Sequence, residues 1–142
     1  LNDSLSLYGA FTLNDASYVG TGDDVVDAGL GLQPGNDVVG IPDQQLVLSL
    51  DWTGDTLAAG ISGKHTGERP IRLDNSWVAD SYTTVDAYLT LNGGAMTNGT
   101  GSWSITLLLN NAFDEDYLGG IAGEGAWIGA PRTVSASLTI DL

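Results

Sequence analysis

The sequence predicts an all-β chain of about six antiparallel strands. Six segments alternate between apolar and polar side chains, a pattern typical of strands because successive side chains point to opposite faces. The 20 glycines among 142 residues disfavour helices. The chain also lacks the run of about 18 apolar residues that a membrane-spanning helix needs. We therefore expect one sheet-forming segment over residues 1–142.

Each predicted strand has one face free of charge. The strands cover residues 4–13, 45–52, 56–62, 84–91, 102–109 and 134–142. The terminal strand carries its apolar side chains at alternate positions: Val134, Ala136, Leu138, Ile140 and Leu142. An apolar face opposite a polar one suits a strand with lipid on one side and a wet lumen on the other. A β-sandwich alternates in the same way, so this pattern leaves both architectures open.

The links between the strands alternate between short and long. Residues 53–55 and 93–101 form short links, whereas residues 14–43, 65–83 and 112–132 form long ones. Outer-membrane barrels have short turns at one rim and long loops at the other, and a sandwich gives no reason for such strict alternation. The links therefore favour a barrel with both chain ends at the short-turn rim.

The charge and the residue types exclude several functions. The chain has 18 acidic and 4 basic residues, a net charge of −14, which makes nucleic acid and anionic membrane surfaces poor partners. It has no cysteine and one histidine, which excludes disulfides, thiolate sites and multi-histidine metal centres within the chain. Because it begins at Leu1 without a signal peptide, we expect a removed leader or a fragment of a longer protein.

Two small groups of residues suggest chemistry. Asp23, Asp24 and Asp27 are oxygen donors of the kind that calcium prefers, although their spacing is not that of a calcium-binding loop. Calcium, or another cation that neutralises carboxylates, is the one cofactor that the sequence suggests. His65 and Glu68 are interpreted as residues of a polar outer loop, because no Ser or Cys motif frames a catalytic pair.

The aromatic residues have two interpretations. Trp52 and Trp103 adjoin short links and fit the aromatic belt of a membrane barrel. Aromatic faces also stack on sugars, so a secreted acidic sandwich that binds sugar stays open as an alternative. The sequence Asn-Gly-Thr at residues 98–100 matches a glycosylation acceptor, and its turn chemistry already explains it.

Several segments resemble the C-terminal end of a TonB-dependent outer-membrane receptor. They cover residues 7–18, 38–52, 63–72, 82–91, 109–117 (LNNAFDEDY) and 129–142 (GAPRTVSASLTIDL), and their order fits the last six strands of that barrel. The last two segments are the most specific, through Asn110, Asn111, Phe113, Asp114, Tyr117, Gly129, Pro131 and Arg132. In the family the first of these two turns a strand into an outer loop, and the second starts the closing strand. Such strands usually end in an aromatic residue, and this one ends in Leu142.

The resemblance implies a function for a protein larger than this chain. Receptors of the family import siderophores, cobalamin, metals or sugars through a plugged barrel of about 22 strands. With about six strands and no plug or TonB box, the chain is expected to be a non-enzymatic piece of such a receptor in the bacterial outer membrane. Its partners would be lipid and the rest of the barrel and plug.

A filament is the alternative for an isolated fragment. Four segments combine high β-propensity with little charge, residues 4–13, 44–52, 103–113 and 133–140. This favours stacking of copies into an extracellular, amyloid-like cross-β filament with a structural role. The charge of −14 per copy opposes such stacking, because like charges would lie about 4.8 Å apart.

Overall fold

The computed structural model describes residues 4–94, 101–123 and 125–141. Within these ranges the chain forms ten strands and one helix. They are β1 Leu5–Leu13, α1 Asp24–Leu30, β2 Gln44–Thr53, β3 Leu57–Thr66, β4 Arg69–Pro70, β5 Val78–Ala79, β6 Tyr82–Gly93, β7 Ser102–Asn110, β8 Leu118–Ala122, β9 Gly125–Ile128 and β10 Thr133–Asp141. Leu142 and the acceptor sequence at residues 98–100 lie outside the described residues.

Six strands form a single antiparallel sheet in the order β1-β2-β3-β6-β7-β10. Each of them pairs with the next of these strands along the chain, so the sheet is a meander without crossovers. These are the six predicted strands, and the predicted fold class is confirmed.

One face of this sheet is apolar from edge to edge. The registers align one row across all six strands: Leu7, Leu50, Ile61, Ala87, Leu109 and Val134. Side chains of this face remain open to the surroundings, and Val134 is 72% exposed. An exposed apolar surface this wide needs apolar cover, and the outer surface of a membrane barrel has that cover in lipid.

Both tryptophans next to the short links lie on this apolar face, as the belt interpretation expects. The ring of Trp103 lies against Gly93, its partner in the register, where any Cβ would overlap the indole. The ring of Trp52 lies close to Gly54, at the turn between β2 and β3. The two rings therefore mark the short-turn end of the apolar surface.

Strand β3 is longer than predicted, and this corrects the position of His65. The antiparallel pairing of β3 with β6 extends as far as the pair Thr66 and Tyr82, because it satisfies the backbone donors and acceptors there. His65 therefore lies in a strand, opposite Leu46, and not in an outer loop. Its Nδ1 lies 2.9 Å from the hydroxyl of Thr83. Glu68 does lie in the link that follows.

The long links contain elements that sequence reasoning left as loops. The first holds α1, whose N-terminus is capped by the carboxylate of Asp23 and whose C-terminus is closed by Gly31 at φ 69°. The second holds the pair β4 and β5, and the third holds the hairpin β8 and β9. Among the described residues, no helix is long and apolar enough to cross a membrane.

The buried side chains lie at the long-link end of the molecule and not between two sheets. Ile71 is fully buried, and Ala79 and Tyr82 are nearly so. In the described part of the chain the two further sheets have two strands each, and none forms the second layer of a sandwich. The sandwich interpretation is therefore wrong for this fold. A cross-β fibril is not favoured either, because every main strand pairs with a different segment of its own chain.

Candidate functional site

The three long links meet at one end of the sheet. We call residues 14–43, 67–81 and 111–132 the first, second and third links. The first and second are joined by backbone hydrogen bonds, from Gly40 to the carbonyl of Pro70 at 2.9 Å and from Asp43 to that of Glu68 at 3.3 Å. The first and second links therefore form a connected surface rather than separate loops.

Asn75 joins the second link to the first. Its Oδ1 accepts from the backbone N–H of Asp37 at 2.8 Å, and its Nδ2 donates to the Asp37 carbonyl at 3.0 Å. The residue adopts φ 53°, a left-handed conformation that asparagine tolerates better than most residues. Asn36 of the first link donates in return to the second link, from its Nδ2 to the carbonyl of Leu73 at 3.0 Å.

Asn111 organises the third link. It is buried at φ 49°, and its side chain accepts from the N–H of Glu115 at 2.9 Å while donating to the carbonyls of Glu115 and Ala130. Its own N–H donates to Asp86 on the polar face of β6 at 2.8 Å. One amide side chain thus connects the start of the link to its end, where β10 begins.

Asn111 belongs to the set of residues in segments 109–117 and 129–142 that carry the family resemblance, which we call the motif, and the other members lie around the same junction. The carboxylate of Asp114 accepts from the N–H of Arg132 at 2.8 Å and lies 3.7 Å from its guanidinium. The ring of Tyr117 covers Gly129, where a Cβ would overlap it. The remaining members of the motif are Asn110 at the end of β7, exposed Phe113, and Pro131 just before β10. This arrangement gives the motif a structural role in closing the third link.

The terminal strand lies where the sequence places it. Val134, Ala136, Leu138 and Ile140 alternate along β10 and pair with the apolar positions of β7. They extend the apolar face to the edge of the sheet.

Arg69 connects the second link to the third, which sequence reasoning did not foresee. It is 7% exposed, and its guanidinium donates to the carbonyl of Leu118. Its Cζ lies 5.4 Å from the ring centroid of Tyr82. Tyr82 in turn stacks on Tyr117, with centroids 4.3 Å apart and planes inclined by 23°. The spacing of the aromatic residues does not predict this cluster, because Arg69, Tyr82 and Tyr117 are far apart in sequence.

An open cleft of about 370 Å³ lies between the second and third links. Its lining includes the rings of Trp77, Tyr82 and Tyr117 and the carboxylates of Asp80 and Asp116. Because Tyr82 pairs with Thr66 at the end of the polar face, the cleft lies on the side of the sheet that would face a barrel lumen. The cleft is the candidate ligand-binding site of this chain.

The surface around the cleft is acidic. The second and third links, which form the cleft, carry seven acidic residues and three arginines. Two hydrogen bonds from Ser76, the stronger from its side chain, lower the pKa of Asp74 below its ordinary value, and Arg72 adds to this effect. The Arg72 guanidinium carbon lies 5.9 Å from the ring centroid of Trp77. Asp74 therefore keeps its negative charge to a lower pH than an unperturbed aspartate.

Asp23 and Asp27, two of the three predicted calcium ligands, have other partners. Asp23 caps α1, and buried Asp27 accepts from the N–H and the hydroxyl of Thr21, the latter at 2.7 Å. Asp24 lies in the first turn of α1. Within the described residues no three His, Cys, Asp or Glu side chains are grouped so that they could hold a metal ion. Calcium binding at these residues therefore stays a prediction.

Comparisons with known proteins extend these observations. No protein-family model matches the chain. Over an alignment of 145 positions that covers 98% of its length, the chain is 29% identical to the ferrichrome outer membrane transporter and phage receptor of Escherichia coli. Its structure is similar to two receptors of Acinetobacter baumannii, each over 99% of the chain. They are the ferric preacinetobactin receptor BauA, with a TM-score of 0.81 and 19% identity, and the siderophore receptor PiuA, with 0.71 and 16%.

The chain spans about a fifth of the length of these proteins, 18% of the transporter and 20% of each receptor. The resemblance to the C-terminal barrel segment of TonB-dependent outer-membrane receptors is confirmed, over 98% of the chain in sequence and 99% in structure. The similar proteins are a transporter and receptors, and none is an enzyme, in agreement with the expectation for this chain.

Proposed function

We propose that this chain forms six neighbouring strands in the wall of an outer-membrane receptor that imports an iron–siderophore complex with energy from TonB. The observation that carries the proposal is the two-faced sheet, with an apolar row crossing all six strands and every long link at one end. In such a wall the apolar face contacts lipid, the polar face lines the lumen, and the links face the outside.

The open edges of the sheet support a larger assembly. Strands β1 and β10 each have one partner strand in the described part of the chain, so each leaves one edge of backbone donors and acceptors free. Hydrocarbon does not tolerate such an edge, because the backbone groups there find no water. Neighbouring strands of the same receptor would satisfy both edges and complete the barrel around a plug.

The similar proteins favour a siderophore as the imported ligand over cobalamin or a sugar. Their names specify ferrichrome, ferric preacinetobactin and a siderophore. The aromatic cleft at the mouth of the lumen is compatible with the organic surface that a chelator presents around its iron. A channel for free iron would need no such surface.

Iron uptake tests this proposal directly. The gene of the full-length receptor would be deleted in its host, and uptake of radioactive iron from a panel of ferric siderophores would be measured under iron limitation. We expect uptake from one siderophore class to be lost and to return with the wild-type gene. As a control, the same gene with its TonB-contacting segment removed should restore the receptor in the membrane without restoring uptake. Unchanged uptake from every siderophore of the panel would contradict the proposal.

A further inference from the structure

We propose that Arg69 is the docking point for a carboxylate from a segment of the same receptor outside residues 1–142. The guanidinium and that carboxylate form a buried ion pair at the mouth of the lumen. This inference rests on the proposed function, because it takes the chain as one part of a larger receptor. It gives the second link a contact that ties this wall to another part of the molecule.

Arg69 is a buried positive charge. Its side chain is 7% exposed, and arginine stays protonated in proteins. Within the described ranges, the only ion pair within 4 Å joins Arg132 to Asp114, so no carboxylate there balances Arg69. The carbonyl of Leu118 and the ring of Tyr82 replace part of the hydration that the guanidinium has lost. Only an anion also balances its charge.

Two hydrogen-bonding groups beside Tyr82 are buried without a partner in the described part of the chain. They are the Nε of Arg69 and the hydroxyl of Thr66, which is the residue that pairs with Tyr82 in the register. Buried polar groups in native proteins are nearly always hydrogen-bonded, so both groups point to an acceptor. A carboxylate accepts several hydrogen bonds at once and matches a guanidinium in shape. A water molecule satisfies a donor but leaves the charge of Arg69 unbalanced.

The neighbours of the second link determine the direction from which the carboxylate approaches. One flank of this link is held by the bond from Gly40 to the carbonyl of Pro70, and the other by the bond from Arg69 to Leu118. The first and third links therefore occupy both sides along the wall. The guanidinium carbon lies 5.4 Å from the ring centroid of Tyr82, whose position in β6 belongs to the polar face. The carboxylate therefore approaches from the lumen side, which the rest of the receptor encloses.

The charge around Arg69 favours a tethered carboxylate over a dissolved anion. The second and third links carry seven acidic residues against three arginines, and this excess repels free anions. A carboxylate that belongs to the same receptor has a high effective concentration at Arg69 and loses little entropy on pairing. The partner is therefore a side chain of the receptor.

Thermal unfolding of the purified full-length receptor in detergent tests the inference by the sign of a change. Arg69→Met keeps an apolar stem and removes the charge. Because this leaves the partner carboxylate buried and unpaired, we expect the melting temperature to fall by about 5 °C. The matched control Arg72→Met removes an exposed guanidinium from the same link and should shift the melting temperature by less than about 1 °C. A melting temperature of Arg69→Met at or above that of the wild type would overturn the inference, because removal of an unpaired buried charge stabilises a protein.

Neutralising the carboxylates of the receptor one at a time identifies the partner. Each Asp is changed to Asn and each Glu to Gln, both in the wild type and in Arg69→Met. We expect one carboxylate outside residues 1–142 to lower the melting temperature when it is neutralised in the wild type, and to lose that effect in Arg69→Met. The absence of any coupled carboxylate would overturn the inference, and so would coupling to a residue within the chain, Asp3 and Glu124 included. Iron uptake by the wild-type receptor is measured separately, so either result leaves the proposed function standing.

Discussion

The hydroxyl of Tyr88 donates a 2.9 Å hydrogen bond to the carboxylate of Asp51 across an intervening strand. Tyr88 lies in β6 and Asp51 in β2, and the position between them in β3 is Gly60. A Cβ at Gly60 would overlap both the tyrosine ring and the carboxylate. The missing side chain thus lets one polar contact extend over three strands on the face assigned to the lumen.

Gly60→Ala should therefore destabilise the sheet by about 1–3 kcal/mol, as overpacking of a well-filled site does. The measurement is the denaturant midpoint of the receptor refolded in detergent. Gly63→Ala, in the same strand, is the matched control, because nothing lies within 4 Å of a Cβ at that position. Equal losses for the two variants would show that the crowding at Gly60 does not affect stability.

Asn111→Ala should release the third link. The change leaves the N–H and carbonyl of Glu115 and the carbonyl of Ala130 without their partner, and it places alanine at a positive φ. We expect a loss of about 3 kcal/mol and faster proteolysis within residues 112–132. Asn110→Ala changes an exposed neighbour and should leave the cleavage rate near that of the wild type. Equal protection of both variants would contradict the role given to Asn111.

Asn75 should hold the first and second links together through its side chain. Asn75→Gly keeps the positive φ accessible but removes both bonds to Asp37. Hydrogen exchange at the Asp37 amide should then accelerate about tenfold, the effect of about 1.4 kcal/mol of lost protection. Asn75→Ala should accelerate it further, since alanine also strains the backbone. An unchanged exchange rate in Asn75→Gly would show that the backbone bonds alone join the links.

The lowered pKa of Asp74 predicts a pH-sensitive turn in the second link. A carboxyl whose folded pKa lies below its unfolded value stabilises the fold above the unfolded pKa, and the contribution is lost as the pH falls through the folded pKa. The largest cause is the hydroxyl of Ser76, which donates to Asp74 at 2.7 Å. In a carboxyl NMR titration, Ser76→Ala should move the Asp74 pKa back towards its ordinary value. A pKa that does not move would assign the effect to the backbone instead.

The lipid-facing assignment can be tested with a charged side chain. Leu107→Arg places a guanidinium in the middle of the apolar face of β7 and should cost about 2–4 kcal/mol in a lipid bilayer. Ser104→Arg, on the polar face of the same strand, should cost much less because the group stays hydrated. Folding free energies from denaturant titration in liposomes give the comparison. Similar costs at the two positions would argue against lipid contact for this face.

The sheet was predictable from the sequence because it depends on a local pattern. A period of two along residues 134–141 or 102–109 identifies both the strand and its apolar face. The C-terminal end of β3 and the N-terminal end of β6 were less predictable. Polar residues there continue the pairing of the two strands because it satisfies their backbone hydrogen-bonding groups. The position of His65 was missed for this reason.

The site was much less predictable, because its contacts join residues that are far apart in sequence. Asn75 and Asp37 are 38 positions apart, and Arg69 and Leu118 are 49 apart. The hairpin of β8 and β9 is rich in glycine and alanine. Its side chains do not alternate between apolar and polar, so the sequence pattern does not predict these two strands. The motif around Asn111 was recognised by resemblance, and only the geometry reveals that its amide closes a link.

The meander order of the sheet has a kinetic consequence. Strands β2 and β3 are joined by residues 54–56, whereas β1 and β2 are joined by residues 14–43. Closing a chain costs an entropy that grows with the logarithm of its length, so the longer connection is less favourable by about 2 kcal/mol. The hairpin of β2 and β3 is therefore the expected nucleus of folding, and β1 should join the sheet only after that hairpin has formed.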